Sequence, residues 1–320
     1  MYSHHIDQNT YQCELCPHLC KLQVGQFGKC LVRKAIDDGI TLDAYGKITT
    51  IAIEPIEKKP FYHFYPGIKT LSIGFSGCSL KCKDCANIAI SQNIDVDYKY
   101  FSTGGIVQLA LENKCKSVCM TYNEPLIYFE FLMDLAEKSH HNDLLFILKT
   151  NAYIERQPWK NILDIVDAIN IDYKGPSQIF SLVTGSVDDY VIYDRIVEAL
   201  ESDKHIEISI PVYNEPEYTI KSLELFRALI IIYKKNTPCH CLKIFQDNEN
   251  TLSDEKSKEF YDYLSKKLPF VYAHNIFGKN DIKCRQTVCP DCKKVVIERN
   301  AFDVKFNKCC EQSKKYFIGV

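Results

Sequence analysis

Between residues 67 and 276 short apolar runs recur with helical stretches between them, and this alternation restricts the fold more than any other feature. Runs at 70–75, 117–121, 144–149, 168–171, 205–210, 242–245 and 270–273 predict strands. Stretches at 106–112, 126–138, 158–165, 190–200, 220–233 and 257–267 predict helices. Continuous apolar strands joined by amphipathic helices indicate βαβ units, whose crossovers bury both faces of a parallel sheet. Six or seven such units fall at or just below the size of a closed eightfold barrel, roughly 250 residues. The length fits an α/β fold of the partial (β/α)6 TIM type, while a doubly wound open sheet accounts for the periodicity equally well.

Two cysteine-rich extensions flank this segment. Residues 1–66 are rich in cysteine, proline and turns and close with Pro55-Ile56-Glu57-Lys58-Lys59-Pro60. Residues 277–320 return to cysteine with little room for a core. The 16 cysteines of the 320-residue chain require a reason. The N-terminus, Met1-Tyr2-Ser3-His4-His5, shows no basic flank followed by an apolar stretch. A cytoplasmic location and thiolate ligation are therefore expected rather than disulfides. Net charge is −2, with a pI near 6.5, which argues against nucleic-acid binding driven by phosphate attraction. The longest apolar candidate, Leu229-Ile230-Ile231-Ile232, stops at Lys234 and Lys235, so no membrane span is expected.

The loop after the first strand reads Cys78-Ser79-Leu80-Lys81-Cys82-Lys83-Asp84-Cys85, a C-x3-C-x2-C spacing. Three thiolates on one short loop can hold three irons of a 4Fe–4S cube and leave the fourth iron to another ligand. A structural zinc loop is the plainer alternative, but zinc prefers a closed shell of four ligands. The spacing resembles that of the radical S-adenosylmethionine (SAM) enzymes, in which the amino and carboxylate groups of SAM take the open iron. The resemblance implies that Cys78, Cys82 and Cys85 ligate the cluster and that SAM contacts follow the later strands.

Glu124, in Thr121-Tyr122-Asn123-Glu124-Pro125, is placed to accept from the ammonium of SAM, with Asn123 beside it. The same residues also describe a plain helix start. Lys149, Thr150 and Asn151 end the third strand with polar groups suited to the carboxylate or ribose. After the fourth, Asp172 and Lys174 alternate with Tyr173 and point the same way, Lys174 suited to a carboxylate and Asp172 to holding it. A surface ion pair is the alternative. Ile210 is expected to cover adenine, His240 to reach the site from the sixth strand, and Lys58, Lys59 and His63 to stand near the mouth.

Further motifs sharpen the resemblance: Cys13-x2-Cys16-x3-Cys20, Gly25-x2-Gly28-Lys29-Cys30, His63-Phe64-Tyr65-Pro66-Gly67 and Cys289-Pro290-Asp291-Cys292. Together they resemble the AmmeMemoRadiSam-system radical SAM enzymes, which are pyruvate formate-lyase-activating-enzyme-like, over nearly the whole chain. The chain departs at Asp84, where the family carries an aromatic residue against adenine, and at Ala86-Asn87-Ile88, where it carries Gln-Asn-Trp. Cys13, Cys16, Cys20 and Cys30 form a potential four-thiolate site for zinc or a second iron–sulfur cluster. Cys289, Cys292, Cys309 and Cys310 read as a zinc ribbon, intact or degenerate, because adjacent Cys309 and Cys310 make a poor pair on one metal and Cys284 offers a substitute. Cys115 and Cys119 read as core. The resemblance implies SAM, an electron donor such as flavodoxin or ferredoxin, and AMMECR-type and Memo-type partners. A glycyl-radical activase and a non-catalytic iron–sulfur or zinc scaffold are the competing functions.

Overall fold

Eight strands hydrogen-bond into one sheet: β1 (Thr50–Pro55), β2 (Lys69–Gly74), β3 (Ser117–Met120), β4 (Leu145–Thr150), β5 (Ala168–Asp172), β6 (His205–Val212), β7 (Cys239–Lys243) and β8 (Val271–His274). The computed structural model describes residues 2–186, 190–213, 215–244, 254–274, 283–300 and 303–319. In space the strands follow chain order without interruption, β2 to β8 parallel and β1 antiparallel to β2. A doubly wound sheet reverses its strand order at a switch point. Here there is no reversal, so the winding is single.

Strand alternation divides the sheet into two chemistries. Ile73, Met120, Leu148, Ile171, Ile208 and Cys241 belong to the main apolar core with the helices. These helices are α1 (Ile88–Ser91), α2 (Thr103–Glu112), α3 (Phe129–His140), α4 (Arg156–Ile165), α5 (Ser177–Thr184), α6 (Tyr190–Glu201), α7 (Glu224–Lys234) and α8 (Asp254–Ser265). The other face is polar toward one end, where Lys149, Asn170, Asp172 and Ser209 hydrogen-bond across three strands. Elsewhere Cys119, Ile147 and Ala168 pack against Ile56, Phe61 and Phe64 of the segment between β1 and β2.

Several boundaries differ from the sequence expectation. The strand expected at 242–245 lies at Cys239–Lys243, and Phe245 falls outside the described residues. The helix expected from 106 begins at Thr103, because Ser102 accepts from the Gly105 amide at 3.1 Å and caps it. β1 precedes the expected boundary at 66 and belongs to the main sheet. The C-terminal extension, expected to have little core, forms a three-stranded sheet (Thr287–Val288, Val295–Arg299, Val304–Phe306) with a small cluster of Cys289, Val296, Ile297 and Phe317. No described helix is long and apolar enough to cross a membrane.

The N-terminal segment is pinned to the helical layer by Arg33, only 2% exposed, whose two terminal nitrogens donate to both oxygens of Glu130 on α3 at 2.7 and 2.8 Å. Removing one member of such a pair strands the other. Arg33→Ala is expected to cost about 3 kcal/mol in urea unfolding, the low end for a buried pair because Glu130 keeps some contact with water. A loss below about 1 kcal/mol would place the pair among surface bridges.

Candidate metal and cofactor site

Hydrogen bonds from neighbouring segments fix the backbone that leads into the cysteine loop. Asn123 accepts from the Phe75 amide at 3.1 Å and donates to the carbonyls of Ser76 and Gly77 at 3.2 and 2.9 Å. Tyr128 adds a hydrogen bond to Ser76 O at 2.7 Å. Two glycines make this approach possible. A Cβ at Gly74 would lie 2.8 Å from the Tyr122 ring, and one at Gly77, whose φ is +76°, would lie 2.3 Å from the Cys30 carbonyl oxygen. Farther along, the amides of Lys81 and Lys83 donate to the carbonyls of Thr184 and Val183 at the end of α5.

Beyond this clamp, Cys78, Cys82 and Cys85 line one cavity of about 410 Å³, together with Glu124, Lys149, Asp172 and Lys174. The cavity lies beyond the C-terminal ends of the strands, where parallel α/β sheets place their sites. Burial pushes the Cys78 and Cys82 thiols up, and Lys174 draws both back. Cys85 Sγ lies 3.2 Å from Ser91 Oγ.

Glu124 is 2% exposed and accepts from Thr150 Oγ1 at 2.6 Å, the Asn151 amide at 2.8 Å and the Leu126 amide at 3.0 Å. Burial outweighs these donors and raises its carboxyl to about 7. Thr150 and Asn151 thus hold the carboxylate, and both line the cavity. Asn123 also borders the cavity, but its side chain is spent on the loop backbone.

Asp172 lies between Lys149 Nζ at 2.5 Å and Lys174 Nζ at 3.3 Å. Burial alone would raise its carboxyl, but the two ammonium groups hold it below the usual range. Burial lowers Lys149, whereas Asp172 holds Lys174 well above its ordinary value. This is a half-buried triad rather than a surface pair. In sequence Lys149 marks the polar end of the third strand, and the fold sets it beside Asp172.

Other positions fall elsewhere. Ile210 packs on the helix-facing side with Ile208, and its neighbour Pro211 lines the cavity with Tyr213. Tyr213, Tyr122 and Asp84 also line the cavity, and Asp84 Oδ2 is buried without a partner among the described residues. Lys59 borders the cavity, pairs with Glu54 at 2.5 Å and lies 4.0 Å from the Tyr122 ring centre; Lys58 stands at the rim. His240 and His63 do not line the cavity; His240 donates to Glu207 at 2.6 Å, and His63 holds the Tyr316 carbonyl at 2.8 Å.

The three cysteine sets differ in spacing. The sulfurs of Cys289, Cys292, Cys309 and Cys310 all lie within 4.8 Å of one another, with Cys289–Cys310 at 3.7 Å, Cys292–Cys309 at 3.3 Å and Cys309–Cys310 at 3.9 Å. A tetrahedral ion with metal–sulfur bonds of about 2.3 Å sets its ligands roughly 3.8 Å apart. Adjacency of Cys309 and Cys310 therefore does not spoil the site, correcting the sequence expectation. Cys284 lies apart, its sulfur 3.8 Å from the Ala273 carbonyl oxygen. Within this group the Lys294 amide and Cys309 pull the Cys292 thiol down, while burial and the neighbouring sulfurs push Cys309 and Cys310 up. Near the N-terminus, a Cβ at Gly28 would lie 3.7 and 3.8 Å from the sulfurs of Cys20 and Cys30. Burial raises the Cys16 thiol, and Cys13, Cys30 and Cys20 add to the effect. This group abuts the cysteine loop, where His18 Nε2 donates to Ser79 O at 2.6 Å.

No protein-family profile matches the chain. An uncharacterised protein of Methanocaldococcus jannaschii is 29% identical over 327 residues, covering 98% of this chain and 95% of its own. Among solved structures, Streptococcus suis SuiB bound to its precursor peptide SuiA is similar with a TM-score of 0.51 and 16% identity, over 69% of this chain and 52% of SuiB. The chain thus shares a fold with about half the length of SuiB. A domain of a pyruvate-formate lyase-activating enzyme from Bacteroides vulgatus matches with a TM-score of 0.41 and 18% identity, over 49% of this chain and 98% of that domain.

Raising the folded pKa of an acid above its unfolded value, about 4.3, adds stability that is complete at low pH and lost as pH rises. With Glu124 near 7, the wild type is expected to lose up to about 3 kcal/mol relative to Glu124→Gln between pH 4.5 and 7. Urea unfolding at both pH values measures it, and parallel profiles would mean an ordinary carboxyl.

Proposed function

We propose that the chain is a radical SAM enzyme of the AmmeMemoRadiSam-system type, its singly wound sheet curling as an open (β/α)6-type barrel. One observation carries this reading: three cysteines of one loop share a cavity with Glu124 and with the Asp172–Lys174 pair. The donor set fits the cofactors. Three thiols face a chamber in which no fourth cysteine takes part, and the remaining polar side chains complement an amino acid. A 4Fe–4S cluster held there would supply the single electron needed for reductive cleavage of SAM, a reaction whose products are methionine and a 5′-deoxyadenosyl radical able to take hydrogen from a substrate.

In this reading Cys78, Cys82 and Cys85 hold three irons. Glu124, kept in place by Thr150 and Asn151, accepts from the SAM ammonium; the added positive charge lowers its pKa and favours the carboxylate. Lys149 and Lys174 carry two positive charges against the single negative charge of Asp172, leaving one to neutralise the SAM carboxylate. Tyr122 and Tyr213 offer faces to adenine in place of the residue lost at position 84. Asn123 acts by fixing the loop. A one-electron donor such as flavodoxin or ferredoxin supplies the cluster, and AMMECR-type and Memo-type proteins are the partners this reading implies.

Anaerobic reconstitution with iron and sulfide, followed by dithionite and SAM, is expected to release 5′-deoxyadenosine. Cys82→Ala should abolish the product, and Lys174→Ala should lower it at least tenfold by weakening SAM binding, about 1.4 kcal/mol. A protein that binds iron and sulfide but never cleaves SAM would instead be an iron–sulfur scaffold.

The C-terminal quartet is assigned to zinc on its sulfur spacing, while Cys13, Cys16, Cys20 and Cys30 suit zinc or a second iron–sulfur cluster. Metal analysis is expected to find zinc that disappears in Cys292→Ala, with a lower melting temperature because the small C-terminal core depends on it. Zinc content unchanged by that substitution would move the metal to the N-terminal group.

A further inference from the structure

We infer that a second cavity, of about 690 Å³ between the β1–β2 edge, β8 and the C-terminal strands, binds an oxyanion that also carries a hydrogen-bond donor, such as a hydroxy acid or a phosphate monoester. Three independent features of its wall lead there.

The first is a chain of imidazoles with fixed tautomers. Glu207 accepts from the backbone amides of Tyr62 and His63 and, at 2.6 Å, from Nε2 of His240. With its proton on Nε2, His240 has a lone pair on Nδ1, which takes the Nε2 proton of His274 at 3.0 Å. His274 lines the cavity, and its Nδ1 is left as an acceptor with no protein donor among the described residues. Burial, and the nearby His240 and Arg285, keep this ring neutral.

The second is an orphaned pair. Arg299 is 3% exposed; its terminal nitrogens are engaged by Thr287, Arg285 and Tyr62, but Nε has no partner. Glu57 Oε2 is likewise buried and unpartnered, in a carboxylate whose other oxygen lies 4.0 Å from that Nε. Buried polar groups of this kind call for a polar occupant. Both residues and His274 line the cavity, so an occupant that accepts from Arg299 and donates to Glu57 or His274 complements this wall.

The third is charge. Lys58, Lys69, Arg285 and Arg299 line the cavity against Glu57 and Asp303, a surplus of two positive charges with His274 neutral. An oxyanion bearing a hydroxyl satisfies all three features. Lys58 also borders the cysteine-lined cavity, while the site stands on its own wall and does not depend on the radical SAM reading.

The test uses cluster-loaded protein labelled with ¹⁵N-histidine, His274 being assigned through His274→Gln. The expected spectrum shows His274 protonated on Nε2 alone; protonation on Nδ1 overturns the inference. Titration with inorganic phosphate, and separately with citrate, is expected to shift this resonance saturably for at least one probe, with a Kd of about 1 mM or tighter. Arg285→Ala and Lys58→Ala should each weaken binding at least tenfold. A response to phosphate alone assigns a phosphate monoester, and to citrate alone a hydroxy acid. No saturable response, or one indifferent to both substitutions, overturns the site. SAM cleavage is measured on the same sample. Cleavage without binding removes this inference alone, and binding without cleavage removes the radical SAM reading while leaving the site.

Discussion

A fully buried carboxylate, Glu207, holds the two ends of this sheet together. Burial alone would raise its pKa, yet hydrogen bonds from His205 and His240 keep it well below the usual range. The backbone amides of Tyr62 and His63 complete the shell. An unpaired charge at this depth would be prohibitively costly, so the segment between β1 and β2 must fold across the polar face of the sheet to supply those amides. Phe61 and Phe64 enter with it and fill the apolar floor. The same segment delivers Lys58 and Lys59 to the rim of the cysteine-lined cavity, so their position follows from satisfying Glu207 some distance away.

The C-terminal module is joined through this segment as well. His63 donates from Nδ1 to the Tyr316 carbonyl, which leaves Nε2 to accept from the Tyr272 hydroxyl. Amides of Ile318 and Tyr65 exchange hydrogen bonds with carbonyls of His63 and Ile318. Arg299 stacks 4.1 Å over Tyr62 and donates to its carbonyl. On the proposed zinc reading, a metal that orders Cys289 to Cys310 would also order the strand carrying Arg299 and so bear on the main sheet. The module packs beside Tyr62, His63 and Tyr272, leaving a cavity between its strands, β1 and β8.

Much of this was readable from the residues, and the exceptions have physical causes. β2 to β6 announce themselves because their helix-facing positions are apolar at every second residue, as in Leu71 and Ile73, Phe146 and Leu148, or Ile206, Ile208 and Ile210. β7 was displaced by a few residues because Cys239-His240-Cys241 interrupts its apolar run with a histidine that faces polar neighbours. β1 was missed because an antiparallel edge strand need bury only part of each face, and Pro55 at its end reads as a turn. The partnership of Asp172 with Lys174 followed from the two-residue period. Its third member did not, since the position of Lys149 beside Asp172 depends on the register between β4 and β5, which pattern alone leaves open. Likewise, adjacency in sequence set Cys309 against Cys310. The chain turns at Cys310 into the short helix Glu311–Tyr316, and that turn brings both sulfurs round to the pair on the Cys289–Cys292 knuckle.

The cysteine-lined cavity also has an internal logic of charge. With the loop folded and no metal bound, burial favours neutral thiols at Cys78 and Cys82 and lets Glu124 share a proton near neutral pH. Within the chamber the Asp172 triad contributes one net positive charge, with Lys58, Lys59, Lys243 and Asp84 also in the lining. On the proposed reading, thiolate ligation by Cys78 and Cys82 would expel protons, a step Lys174 eases by drawing both thiols down. Each thiolate would offset the triad's surplus charge, and the ammonium of SAM would favour the ionised form of Glu124. Cysteines, lysines and glutamate are thus each in their less comfortable state alone and in a compatible one together, which explains why one small chamber can bury so many ionisable groups.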